Sequence, residues 1–230
     1  MVHFTLFGIP VYIRPSFWVV LAIFGGALSI SSVEDLIYPA LFVIAGFVAI
    51  LSHEMGHALV GRKLGGGQQT IVLELFGGLT SSHGMQLTRG GRALMTLAGP
   101  MMTLLLSIIR LGLTWNIVAP VMTSYNLNFW DLAISPFTAA LISPKLYILS
   151  CLIMIGEWWT ILNLLPIYPL DGGQLIAQYI RSPRKVFMTG FITAILIGLL
   201  SFQLFHGYFI PIFMALFAYS NYREYKNAPF

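Results

Sequence analysis

Leu36 to Ser52 is an apolar run without a single charge, and it leads directly into His53-Glu54-Met55-Gly56-His57. Continued to Leu64, the run is long enough to cross a hydrocarbon core of ~30 Å, which takes ~20 residues of helix. Helical residues four apart lie almost one above the other, so His53 and His57 can reach one metal ion. Glu54, one step round the helix, can face a metal-activated water as its general base. The plainer reading is a histidine pair satisfied inside a helix bundle. Two histidines and a carboxylate are costly to bury in hydrocarbon without a use, which favours the metal reading.

Composition agrees with a membrane setting. Of 230 residues 57% are hydrophobic and 9% charged, against about 25% charged in soluble domains. A single cysteine, Cys151, excludes an internal disulfide framework and a cysteine-rich zinc site. Twenty-two glycines and twelve prolines suit interrupted, closely packed helices. Met1 to Ser16 lacks a small-residue cleavage site and does not read as a removable signal peptide.

Six stretches are expected to cross the bilayer: Phe17–Val33, Leu36–Leu64, Ala93–Trp115, Leu146–Leu165, Val186–Phe205 and Gly207–Tyr222. With both termini on one side, that side collects Arg14, Arg62, Lys63, Arg89, Arg92, Arg181, Arg184, Lys185, Arg223 and Lys226, leaving Arg110 and Lys145 opposite. Cytoplasmic loops carry such an excess, so both termini are expected inside. The net charge of +4 is thereby a matter of topology, and nucleic acid is discounted as a partner.

Two connections stand out. Residues 65–88 open with three glycines and continue through Gln68 to Thr80 with β-branched and apolar residues, which predicts a strand or hairpin. Asn116 to Pro144 carries Tyr125, Phe129 and Trp130, a cluster suited to an interfacial loop. The expected fold is an all-α polytopic membrane protein of about six spans, with a small membrane-associated β-hairpin or sheet after the second. Residues 1–230 read as one domain, with its core motifs in 36–182.

A catalytic zinc site usually has three protein ligands and an open position. Candidates for the third are Glu74, His83, Asp131, Glu157, Asp171 and His206. Glu74 falls in the strand-like segment, His83 in a loop, and Asp131 and His206 near the opposite face. Glu157, beside Trp158-Trp159, has no role that the sequence determines. Asp171 follows Asn163-Leu164-Leu165-Pro166-Ile167-Tyr168-Pro169-Leu170, where two prolines break the helix on the side that holds the histidines. Asp171 is the strongest choice.

An HExxH motif in one membrane helix, with Asn163-x-x-Pro166-x-x-Pro169-Leu170-Asp171-Gly172 closing a later one, resembles the site-2 protease family of intramembrane zinc metalloproteases. Gly77-Gly78-Leu79 and Ala98-Gly99-Pro100 fit the same pattern, and the resemblance covers about residues 36–182. It implies His53, His57 and Asp171 as ligands of one zinc ion and Glu54 as general base. It also implies Asn163 as the amide that contacts substrate or oxyanion. The strand Thr70, Ile71, Val72, Leu73, Glu74, Leu75 would be the edge that pairs with an unwound substrate. One departure is visible: the family often has Asn three residues after its Gly-Pro, and here that residue is Thr103. No stretch reads as the PDZ-type or CBS-type domain that some members carry.

The expected activity is therefore zinc endopeptidase cleavage within or near the spans of single-span membrane proteins, in a prokaryotic cell membrane. The resemblance alone adds a prior trimming of substrate on the outer side. Rival readings are a catalytically silent membrane binder on the same fold, and a cation transporter built on His53, Glu54, His57, Glu157 and Asp171.

Overall fold

The computed structural model describes residues 1–65, 67–75, 77–84, 87–126 and 136–229. It divides into two compact units, Met1–Leu87 with Ala98–Thr160, and Thr88–Leu97 with Ile161–Phe230.

The first unit opens with a hairpin that the sequence reading does not anticipate. Strands β1 (Val2–Leu6) and β2 (Ile9–Ile13) pair antiparallel, Leu6 opposite Ile9. Phe7 and Gly8 both have positive φ, 51° and 76°, the backbone of a two-residue turn whose twist matches the strands. Arg62 Nη1 donates to the Phe7 carbonyl at 2.7 Å and holds this turn. After helix α1 (Pro15–Phe24) and helix α2 (Ile37–Gly65), strands β3 (Gln68–Glu74) and β4 (Gly77–His83) complete a sheet of order β1-β2-β3-β4. β2 and β3 run parallel, with Val11, Tyr12 and Ile13 opposite Ile71, Val72 and Leu73.

β3 alternates as a half-buried strand should, with Ile71 and Leu73 fully covered. One core joins the sheet's Ile9, Val11, Ile13, Ile71 and Leu73 to Phe17 and Leu21 of α1 and Ile50, Met55 and Ala58 of α2. At ~1.5–3 kcal/mol for each large apolar side chain buried, this cluster fixes the sheet against the helix that carries His53 and His57. The remaining elements of the unit are most of helix α3 (Arg89–Ser124), helix α4 (Pro136–Ile142) and helix α5 (Pro144–Leu164) to Thr160.

In the second unit, helix α6 (Asp171–Ala177) follows the helix break, and helices α7 (Pro183–Phe205) and α8 (Phe209–Asn227) form an antiparallel pair. Ile167, Ala194, Met214 and Ala218 make its core. α7 stops where His206 takes a left-handed conformation at φ 51° and its N–H returns to the Phe202 carbonyl.

Among the described residues four helices are long and apolar enough to cross a membrane, Glu34–Gly65, Arg89–Gly112, Pro144–Leu164 and Pro183–Leu204. They correspond to the second to fifth expected spans. The first, Phe17–Val33, differs: helix ends at Phe24, and Gly25, Gly26 and a 3₁₀ turn at Ala27–Ser29 follow. Asp35 then accepts from the Ser31 and Ser32 N–H groups, drawing the chain into α2. The sixth corresponds to α8, whose polar end from Asn221 to Asn227 lowers its apolar character. In the connection expected at Asn116–Pro144, residues 116–124 continue α3, Tyr125 is exposed, and Phe129, Trp130 and Asp131 lie outside the described residues.

Candidate metal centre

His53, Glu54 and His57 sit on one buried stretch of α2, at 1%, 4% and 6% exposure. Their helical spacing brings the rings together edge to face, centroids 4.8 Å apart. The two Nε2 atoms face each other at 3.2 Å. Two nitrogens held ~2.0–2.1 Å from a tetrahedral zinc lie about 3.3 Å apart. The pair thus fits a shared ion.

α3 closes over this stretch. Gly99 packs on the His57 ring, and Gly56 of α2 lies against the Ala98 carbonyl and Met102. A side chain at either glycine would overlap those atoms, so the close helix approach depends on both. Thr103, one turn on, places its Oγ1 3.3 Å from His53 Nδ1 and 3.2 Å from the Gly99 carbonyl oxygen.

Glu54 is gripped from the sheet side. Its side chain occupies the space where Gly78 would carry a Cβ. Thr80 Oγ1 lies 2.7 Å from Glu54 Oε2 and 3.1 Å from the Glu54 carbonyl oxygen. Beside it, Gly77 has φ 116° and packs on the Trp159 ring. The sequence pattern marked Gly77-Gly78-Leu79 but not Thr80. A hydroxyl two residues beyond two glycines on a strand is a weak signal until the strand is known to lie on the motif helix.

In the second unit Asp171 is the first residue of α6 and is 6% exposed. The chain reaches it through short turns, Ile167 N–H to the Leu165 carbonyl and Leu170 N–H to the Ile167 carbonyl, with a cis Tyr168–Pro169 peptide. Gly172 and Gly173 fold back against the backbone of Leu164, Leu165 and Ile167, where no Cβ fits. Gln174 donates to the Pro169 carbonyl, and buried Asn221 of α8 donates to the Tyr168 carbonyl at 2.6 Å. The Asp171 carboxylate is thus presented by a tightly tied corner. Asn163, on the last turn of α5, is 8% exposed.

The other candidates are placed differently. Glu74 makes an exposed ion pair with Arg14 at 2.8 Å, and His83 and His206 are exposed. Glu157 is partly buried on α5. The expected substrate edge needs correction. Ile71, Val72 and Leu73 pair with β2 on one side and β4 on the other, so β3 is interior and has no free edge there. The parallel β2, brought in by the unanticipated N-terminal hairpin, occupies it. Among the described residues, the outer strand of the sheet beside Glu54 is β4.

The profile of Peptidase family M50 matches residues 41–205. The chain belongs to this family. A zinc metalloprotease of Methanocaldococcus jannaschii is 28% identical over 227 residues, 94% of this chain and 57% of that one. A Synechocystis protein, provisionally named a zinc metalloprotease, is 29% identical over 191 residues, 76% of this chain and 43% of that one. The chain therefore spans about half the length of these curated relatives. A solved site-2 protease from Methanocaldococcus jannaschii superposes with a TM-score of 0.59 at 22% identity, covering 97% of this chain and 94% of that one, and so shares the fold. Imidazole and carboxylate are donor types that suit a single zinc ion in a family of this kind, and they are offered by His53 and His57 in the first unit and by Asp171 in the second.

Proposed function

We propose that this M50 member is an intramembrane zinc endopeptidase that cuts single-span membrane proteins within or near their spans. The observation that carries this reading is the burial of Glu54 beside the facing Nε2 atoms of His53 and His57. His53, His57 and Asp171 would hold the ion. Bound zinc is a Lewis acid that polarises a peptide carbonyl and brings the pKa of water towards ~7.

The chain's own groups do the rest. Glu54 takes the proton from the attacking water and returns it to the leaving amine. Thr80 holds the carboxylate through one oxygen and leaves the other for the proton. Asn163 donates to the developing oxyanion, a contact typically worth ~3 kcal/mol. A substrate helix keeps its carbonyls in i to i+4 hydrogen bonds and must open before attack. Its freed backbone would then pair along β4, Gly77 to His83, by strand addition.

For topology we place six crossings, both termini inside, in a prokaryotic cell membrane. α1, with 10 residues, reaches only ~15 Å at 1.5 Å per residue, so the first crossing continues through the 3₁₀ turn to Val33. The ten-to-two division of basic residues supports this orientation.

The test is a single-span reporter incubated with the purified protein in liposomes. Cleavage should occur with wild type and vanish in Glu54→Gln while one zinc per chain is kept. Wild-type cleavage by Glu54→Gln would end this reading.

A further inference from the structure

Thr103 stands on α3 facing His53 on α2. Both residues are nearly fully buried, at 2% and 1% exposure, in surroundings where a hydrogen bond is strong and a missing one costly. A threonine hydroxyl has one proton to give. In a helix that proton commonly goes to the carbonyl four residues back, and here the Gly99 carbonyl oxygen lies 3.2 Å from Oγ1. With its proton committed there, Oγ1 meets His53 Nδ1, 3.3 Å away, as an acceptor. The proton between them then belongs to His53 Nδ1.

A neutral imidazole carries one N–H. A proton fixed on Nδ1 leaves the lone pair on Nε2, the atom that faces His57 Nε2 at 3.2 Å. We propose that Thr103 is a positioning residue that sets the tautomer and ring orientation of His53, so that Nε2 is presented as a metal donor. This rests on the zinc-site reading above. The same turn of α3 meets the second histidine as well, since Gly99, whose carbonyl oxygen takes the Thr103 proton, packs on the His57 ring. On the far side, a side chain at Gly156 of α5 would press on the Thr103 methyl, so the glycine leaves that methyl its room. A ligand histidine ordinarily gives its second N–H to a carboxylate, a carbonyl or water, and loss of that partner costs 10- to 100-fold in metal affinity. In this chain a hydroxyl relays the contact to a main-chain carbonyl.

The experiment compares wild type, Thr103→Val, Thr103→Ser and Glu54→Gln, purified in detergent. Zinc affinity is measured by competition with a chelator, and fold by thermal unfolding. Thr103→Val keeps the shape and removes the hydroxyl. It should unfold near the wild-type temperature yet bind zinc 10- to 100-fold more weakly. Thr103→Ser keeps the hydroxyl and should bind within threefold of wild type. Wild-type affinity in Thr103→Val, or equal losses in Val and Ser, would overturn the assignment while leaving the peptidase reading intact. Wild-type protein that retains no zinc would overturn both. Glu54→Gln leaves Thr103 and the zinc donors in place and should bind zinc as wild type does; a loss equal to that of Thr103→Val would show that any change in this pocket weakens zinc and would overturn the assignment.

Discussion

Thr80 on β4 gives its hydroxyl proton to Glu54 Oε2 on α2 at 2.7 Å, across 26 positions of sequence. A hydrogen bond to a charged group is worth ~1.5–3 kcal/mol, and this one bears on the carboxylate proposed to move the proton. Thr80→Val should therefore lower kcat by about 10- to 100-fold. KM and zinc content should stay near wild type, and steady-state kinetics with metal analysis would check the split.

Two glycines around the motif should fail in different ways. Gly78→Ala places a methyl group where the Glu54 side chain lies, and Gly99→Ala places one on the His57 ring. The first is expected to abolish cleavage with zinc retained. The second is expected to lose zinc together with cleavage. Metal content of the two purified variants separates them directly.

Asp171→Asn keeps the shape of the residue but replaces an anionic donor with a weak neutral one. Zinc per chain should fall from about one to well under half after dialysis, with little change in thermal unfolding. Glu74→Gln, which breaks only the exposed pair with Arg14, should leave zinc content and cleavage unchanged and shift stability by less than ~1 kcal/mol. A zinc loss in Glu74→Gln instead would move the third ligand to the strand.

If β4 receives the substrate, cross-linking should report it. A guest strand would lie ~4.8 Å from β4 and twice that from β3. Leu79 and Val72 are cross-strand partners, so they share a sheet face and differ only in that distance. A substrate bearing one cysteine should form a disulfide readily with Leu79→Cys and poorly with Val72→Cys. The reverse preference would remove β4 from the site.

Much of this was legible in the chain itself. The α2 run and its His53-Glu54-His57 spacing specify a helix with both imidazoles on one side, because helical periodicity is local. The break at Pro166 and Pro169 is local too, and it announces the corner that presents Asp171. What stayed hidden depends on partners distant in sequence. Val2–Leu6 and Ile9–Ile13 turn at Phe7-Gly8 without the usual Asn-Gly signal. β2 then joins β3 in parallel across both α1 and α2, which no local pattern encodes. That pairing alone decides that Ile71 to Leu73 are interior. Thr80 was likewise invisible, and Thr103 showed only as a departure from the family pattern without a role, since a threonine gains meaning only from the atom it faces.

Gly77 and Gly78 carry a further consequence. The strand beside Glu54 begins with two residues whose side-chain positions are already filled by Trp159 and by Glu54 itself. A polypeptide laid along that stretch would meet bare main chain, which every sequence offers in the same form. Selection at this point would then fall on how easily a helix lets go of its own hydrogen bonds rather than on the identity of its residues. An enzyme built this way would read pliability, and its range of targets would be set by the weak points of membrane helices.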